Sequence, residues 1–103
     1  MDFKTRKIDL FGTVYTIKYV DDLIDMGNGN MSIGTTDHVK HTILVSKSSD
    51  GDPLPENEIK LTLYHELMHA IFHTGQYLDD NADEPIVEWC ARCIYQCVKK
   101  GIL

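Results

Sequence analysis

Residues 55–75, PENEIKLTLYHELMHAIFHTG, decide the fold. Ile59, Leu63, Leu67, Ala70 and Ile71 recur every three or four residues, which is the spacing of one helical stripe. Thr62, His65, Glu66, His69 and His73 fall on another side of the same helix. Pro55 suits a helix start, where no amide hydrogen is needed, and Gly75 suits the stop. An amphipathic helix over 55–74 follows, with histidines and a glutamate off its core face.

Upstream of this helix the periodicity falls to two. Residues 7–10 and 13–20 alternate polar with apolar or aromatic side chains around Gly12, which predicts a hairpin. Residues 21–30, with Gly27-Asn28-Gly29-Asn30, read as a connection. Two further strands are expected at 31–35 and 41–46, turning around Thr36 and Asp37, and 48–54 is loop by composition. Downstream, the polar link 76–83 leads to a second helix from Glu84 and Pro85 to about Lys100, with Lys99 and Lys100 in its last turn and Gly101 beyond. The expected class is α+β: an N-terminal antiparallel or mixed sheet of three to four strands followed by two helices, the first carrying the histidines.

The chain has 103 residues, 43% of them hydrophobic and 25% charged, so one domain over 1–103 is expected, with no tract long enough for a second core. Ten Lys and Arg against sixteen Asp and Glu give a net charge of -6, which disfavours affinity built on neutralising phosphates, so no nucleic acid is expected as a partner. The charged N-terminus lacks the apolar run of a secretory signal, and no stretch reaches membrane-spanning length, so a cytoplasmic protein with no membrane partner is expected. Cys90, Cys93 and Cys97 are odd in number and clustered, unlike a disulfide scaffold. With Ile86, Ile94 and Val98 they form an apolar stripe expected to pack in the core, ahead of a second-metal reading of CxxCxxxC. Trp89 lies off that stripe, and the acidic residues Asp79, Asp80, Asp83 and Glu84 read as a solvated connection.

The chemistry is carried by His65-Glu66-Leu67-Met68-His69, an HExxH motif. Residues four apart on a helix lie about 6 Å apart on one face, so two imidazoles take two corners of a tetrahedral zinc site. Glu66 sits beside the first histidine, within reach of a water on the metal. For five His and five Glu in this length, chance would produce the motif in roughly 1% of shuffled chains. A catalytic zinc needs a third protein ligand and an open position. His73 is two turns from His65, about 11–12 Å along the axis, too far for a shared ion on one straight helix. Glu88 fits better: in an antiparallel hairpin it comes level with His69. Glu84, closer to the connecting loop, is the runner-up.

HExxH followed nineteen residues after His69 by Glu88-Trp89-Cys90-Ala91, an ExxA element, resembles a gluzincin metallopeptidase in minimal form. The strand-then-helix order and residues 88–96 are similar to short ImmA/IrrE-type metallopeptidases, which are often encoded by bacteriophages and other mobile elements. The resemblance covers most of the chain and implies zinc ligands at His65, His69 and Glu88, with Glu66 as general base. Members with a regulatory role often carry extra helices or a DNA-binding or sensor domain, for which this chain has no room.

The expected activity is therefore peptide hydrolysis by a single Zn²⁺, with Glu66 taking the proton of the zinc-bound water and passing it to the leaving amine. The expected partner is an extended peptide or protein substrate, added to an edge strand at 42–46, and the resemblance suggests a regulatory protein. For the oxyanion, Tyr95 leads His38, His41, Tyr64 and His73, because it follows Glu88 at i+7 on the same face. The competing class is a non-catalytic protein-binding module that keeps the metal site, and the presence of Glu66 favours the enzyme. A zinc hydrolase with a non-peptide substrate comes third.

Overall fold

Alternation along the first strands builds one buried sheet face. The computed structural model describes residues 2–23 and 33–103. Strands β1 (Arg6–Leu10) and β2 (Thr13–Val20) form the expected hairpin, closed by Phe11 and Gly12, both at positive φ, with Asp9 Oδ1 accepting from the Gly12 amide at 2.7 Å. β3 (Gly34–Asp37) and β4 (Thr42–Ser46) form a second hairpin. The sheet order is β1-β2-β4-β3, with β2 and β4 parallel and the other pairs antiparallel. The fold is thus α+β with a mixed four-stranded sheet followed by helices.

Two strand expectations are corrected. Thr36 and Asp37 belong to β3, and the turn falls on residues 38–41, because Asp37 Oδ1 accepts the Val39 and Lys40 amides at 2.9 Å each and His41 takes a positive φ. Residues 42–46 are not an edge: β4 lies between β2 and β3, which leaves β3 on the outside. The inner position follows from Ile43 and Val45, both wholly buried, while Thr36 on β3 reaches across to α1. The expected connection from residue 24 onward, and Met31 and Ser32 of the expected third strand, lie outside the described residues. Beyond β4, the stretch expected as loop contains a short ladder of β5 (Ser48–Ser49) and β6 (Asp52–Pro53).

Helix α1 (Glu56–Thr74) starts after Pro55, and the chain leaves it through Gly75 and Gln76, the latter in the left-handed region. Ile59 and Ala70, with Leu63, Leu67 and Ile71 beside them, pack onto Leu10, Tyr15, Ile17, Ile43 and Val45 of the sheet. Each fully buried aliphatic there contributes about 1.5–3 kcal/mol relative to exposure. The 76–83 link contains a five-residue helix α2 (Leu78–Ala82), a departure from the expected plain connection. α3 (Glu84–Lys99) is capped by Asp83, whose carboxylate accepts from the Ile86 amide, with Pro85 in the first turn.

α3 packs on a second side of α1. Val87 and Ala91 are wholly buried there, and with Met68 they join Cys90, Ile94, Tyr64 and Phe72. The buried stripe therefore runs through 87, 90, 91 and 94, not through all three cysteines: Cys93 is exposed, and Ile86 and Val98 face outward. Small Ala91 lets the helices approach where a larger side chain would hold them apart. Trp89 is exposed. Among the described residues no helix is long and apolar enough to cross a membrane.

Candidate metal centre

Both motif histidines project from α1 toward the start of α3, with ring centroids 5.0 Å apart. His65 Nε2 lies 2.9 Å from Glu84 Oε2, and His69 Nε2 lies 3.0 Å from Glu84 Oε1. One carboxylate thus spans two imidazole nitrogens, and ligand atoms of His65, His69 and Glu84 all lie within 4.8 Å of one another. A cation bound there would replace the protons in these contacts, since an imidazole ligates through a nitrogen that carries no proton. Two imidazoles and one carboxylate are a donor set that fits a zinc ion.

The other ring nitrogens are occupied. His65 Nδ1 donates to Glu88 Oε2 at 2.8 Å, and His69 Nδ1 donates to Asn81 Oδ1 at 2.9 Å. Acceptors at Nδ1 fix the ring orientation and direct each Nε2 to the shared point, the arrangement that surrounds metal-ligating histidines. Glu88, expected as the third ligand, sits at Nδ1 of His65 and is held from behind by Arg92, whose Nε donates to Glu88 Oε1 at 3.0 Å. Glu84 occupies the position facing both Nε2 atoms. The short α2 helix supplies Asn81, which sequence reasoning missed because a lone Asn in a polar link carries no spacing signal.

Glu66 points elsewhere on α1, into the contact with β3. It is only 6% exposed, and Thr36 Oγ1 donates to its side-chain Oε1 at 3.1 Å and to its backbone oxygen at 3.2 Å. Burial pushes its carboxyl above the usual range, opposed by His69, His65 and the Thr36 hydroxyl. Gly34 of β3 makes this contact possible: a Cβ there would fall 2.7 Å from Thr62 Cγ2 and 2.9 Å from Glu66 Cγ. Among the described residues β3 pairs with β4, and its Gly34 and Thr36 pack on the motif helix.

The remaining expected residues sit at the periphery. His73 stacks on His38, centroids 4.0 Å apart and planes within 6°, and Tyr15 Oη lies 3.1 Å from His38 Nδ1. His73 is thus engaged with His38 one turn beyond His69. Burial and then the neighbouring His73 hold the His38 imidazole below its ordinary range. His41 packs against Tyr15. Tyr95 is in ring contact with Tyr64 in the α1–α3 interface, centroids 6.3 Å apart. Comparison with known protein families, with curated proteins and with solved structures finds no match.

Proposed function

We propose that this chain is a zinc-dependent peptidase with His65, His69 and Glu84 as metal ligands and Glu66 as general base. The observation that carries the reading is the convergence of both Nε2 atoms on one carboxylate, with both Nδ1 atoms tied to acceptors. Held by His65, His69 and Glu84, zinc would supply a water of lowered pKa and a Lewis acid for a carbonyl. The chain's own residues supply the rest. Glu66, one position after His65 and partly desolvated, accepts the water proton and returns it to the leaving amine. Thr36 holds that carboxylate, and the substrate is a peptide bound in extended form. Glu88 and Asn81 orient the two imidazoles.

This reading takes the α+β frame as a minimal gluzincin-type fold of the ImmA/IrrE kind, acting in the cytoplasm on a regulatory protein. The second reading is a protein-binding module with a structural ion. Its support is the Thr36–Glu66 hydrogen bond, which also gives Glu66 a task in holding β3 to α1.

Metal content by mass spectrometry, combined with product analysis on peptides, separates them. About one zinc per chain is expected in the wild type, lost in His69→Ala and Glu84→Ala and retained in Glu66→Gln. Glu88→Ala should bind roughly 10–100-fold more weakly without losing the site. Hydrolysis absent from Glu66→Gln with zinc retained supports the peptidase. No zinc after reconstitution would overturn both readings.

A further inference from the structure

α3 buries one face and leaves the opposite one uncovered. Val87, Ala91 and Ile94 pack toward α1, whereas Ile86, Trp89 and Cys93, spaced three and four apart, form an exposed stripe on the far side of the helix. Ile86 is 40% exposed and Trp89 69%. Half-buried Cys97 prolongs the stripe by one turn. Beyond Gly101, which takes a positive φ, the Ile102 amide donates to the Cys97 carbonyl and brings exposed Ile102 back to the same end. The apolar strip thus runs the length of α3, about 24 Å for its sixteen residues. The metal centre lies on another side of the helix, where Glu84 and Glu88 meet the motif histidines.

Charge names the occupant of this strip. The approach to α3 and its first turn are acidic, with Asp79, Asp80, Asp83 and Glu84, and its end is basic, with Lys99 and Lys100. Neither lysine has an ion-pair partner among the described residues. In a second copy laid antiparallel on the strip, one placement satisfies every contact. With Trp89 of one copy over Cys93 of the other, Ile86 meets Cys97 and Asp83 meets Lys99, because all three pairs are centred on the same point of the helix, beside Ala91. A two-fold axis there repeats each contact in reverse. Parallel pairing would instead set acid on acid and base on base. We infer that α3 pairs antiparallel with α3 of a second copy through Ile86, Trp89, Cys93 and Cys97, with the lysine end of each helix against the acidic end of the other. The contact requires neither zinc nor turnover. A single helix-on-helix contact falls short of the roughly 1,200–2,000 Å² of standard interfaces, so a weak dimer is expected, with Kd on the order of 10–100 µM.

Sedimentation equilibrium of the reduced full chain, across concentrations bracketing that range, tests the pairing. Trp89 is the sole tryptophan, so its emission should shift to shorter wavelength over the same concentrations as the monomer gives way to the dimer. Trp89→Ala, at an exposed position that the fold does not need, should raise Kd at least about tenfold. Lys99→Glu with Lys100→Glu should raise it severalfold. Lys4→Glu with Lys7→Glu, the same change in net charge on exposed residues of the N-terminal segment, should leave it unchanged. A monomer at every concentration, or a dimer indifferent to Trp89→Ala, would overturn the inference. Equal weakening by both lysine pairs would also overturn it, since net repulsion rather than the antiparallel charge match would then govern association.

Discussion

Replacing Gly34 by alanine adds a single methyl group at the closest approach of β3 to α1. The new Cβ would stand 2.7 Å from Thr62 Cγ2, 2.9 Å from Glu66 Cγ and 3.3 Å from Glu66 Cδ. The first two are roughly half an ångström or more inside ordinary contact. Thr62 and Glu66 are both buried, so neither can swing away freely, and β3 must lift from the helix. Overpacking of this kind costs about 1–3 kcal/mol. Separation of the Thr36 hydroxyl from Glu66 adds about 1 kcal/mol, and the lower entropy of the unfolded alanine chain offsets about 0.4–1 kcal/mol. The net expectation is a loss of about 1–3 kcal/mol, read as a lower urea midpoint at unchanged slope. Thr62→Ser removes the methyl that clashes first, so Gly34→Ala with Thr62→Ser should lose less than the sum of the singles by at least about 0.5 kcal/mol. Zinc content should stay at the wild-type level, because none of the three proposed ligands is on β3, while peptide hydrolysis should fall. A Gly34→Ala protein as stable as the wild type would refute the close-contact argument.

Three further outcomes follow from individual contacts. Thr36→Val keeps shape but removes the hydroxyl that serves Glu66 Oε1; unfolding in urea near neutral pH should show a loss of about 1 kcal/mol, and no loss would mean the bond is not formed in solution. Asn81→Ala frees Nδ1 of His69, so competition with a chelator should show zinc affinity roughly 10–100-fold lower, and an unchanged affinity would remove Asn81 from the orienting set. His38 lies below its ordinary 6.5 when folded, so between its folded value and 6.5 the unfolded chain binds the extra proton. Its contribution is present above pH 6.5 and lost as pH falls through the folded value; melts of metal-free protein should show His38→Gln with a shallower decline, and parallel declines would assign the slope elsewhere.

The parts of the fold readable in the sequence are those where one periodicity serves one neighbour. β2 alternates because Tyr15 and Ile17 enter the core while Thr16 and Lys18 do not, and the hairpin at Gly12 needs the positive φ it takes. α1 was legible in extent and on its sheet-facing stripe. It is also buried at Thr62 and Glu66 under β3 and at Met68 against α3, so a single-stripe reading hides two of its three contacts. α3 shows the same limit more sharply: three cysteines at helical spacing imitate a core stripe, but the helix is rotated so that Val87 and Ala91 point inward and Cys93 points out. Strand order is illegible for a different reason. Whether β4 or β3 takes the edge depends on which of two similar strands pairs with β2, and nothing local to 42–46 records that choice.

The roles of Glu84 and Glu88 turn on a single helical step. They are one turn apart on the same face of α3, so their type and periodicity are identical, and only the height of α3 beside α1 distinguishes them. An uninterrupted link from 76 to 83 puts Glu88 level with His69. In the structure the link is partly wound into α2, whose Asn81 reaches His69 Nδ1, and α3 starts with Glu84 against both Nε2 atoms. Glu88 then falls one turn deeper, against His65 Nδ1 and Arg92. The two carboxylates differ in what each can lose. An alanine at 84 removes an atom from the proposed coordination shell, whereas an alanine at 88 frees an imidazole to rotate and leaves Arg92 without its carboxylate. Zinc content should therefore respond chiefly to position 84.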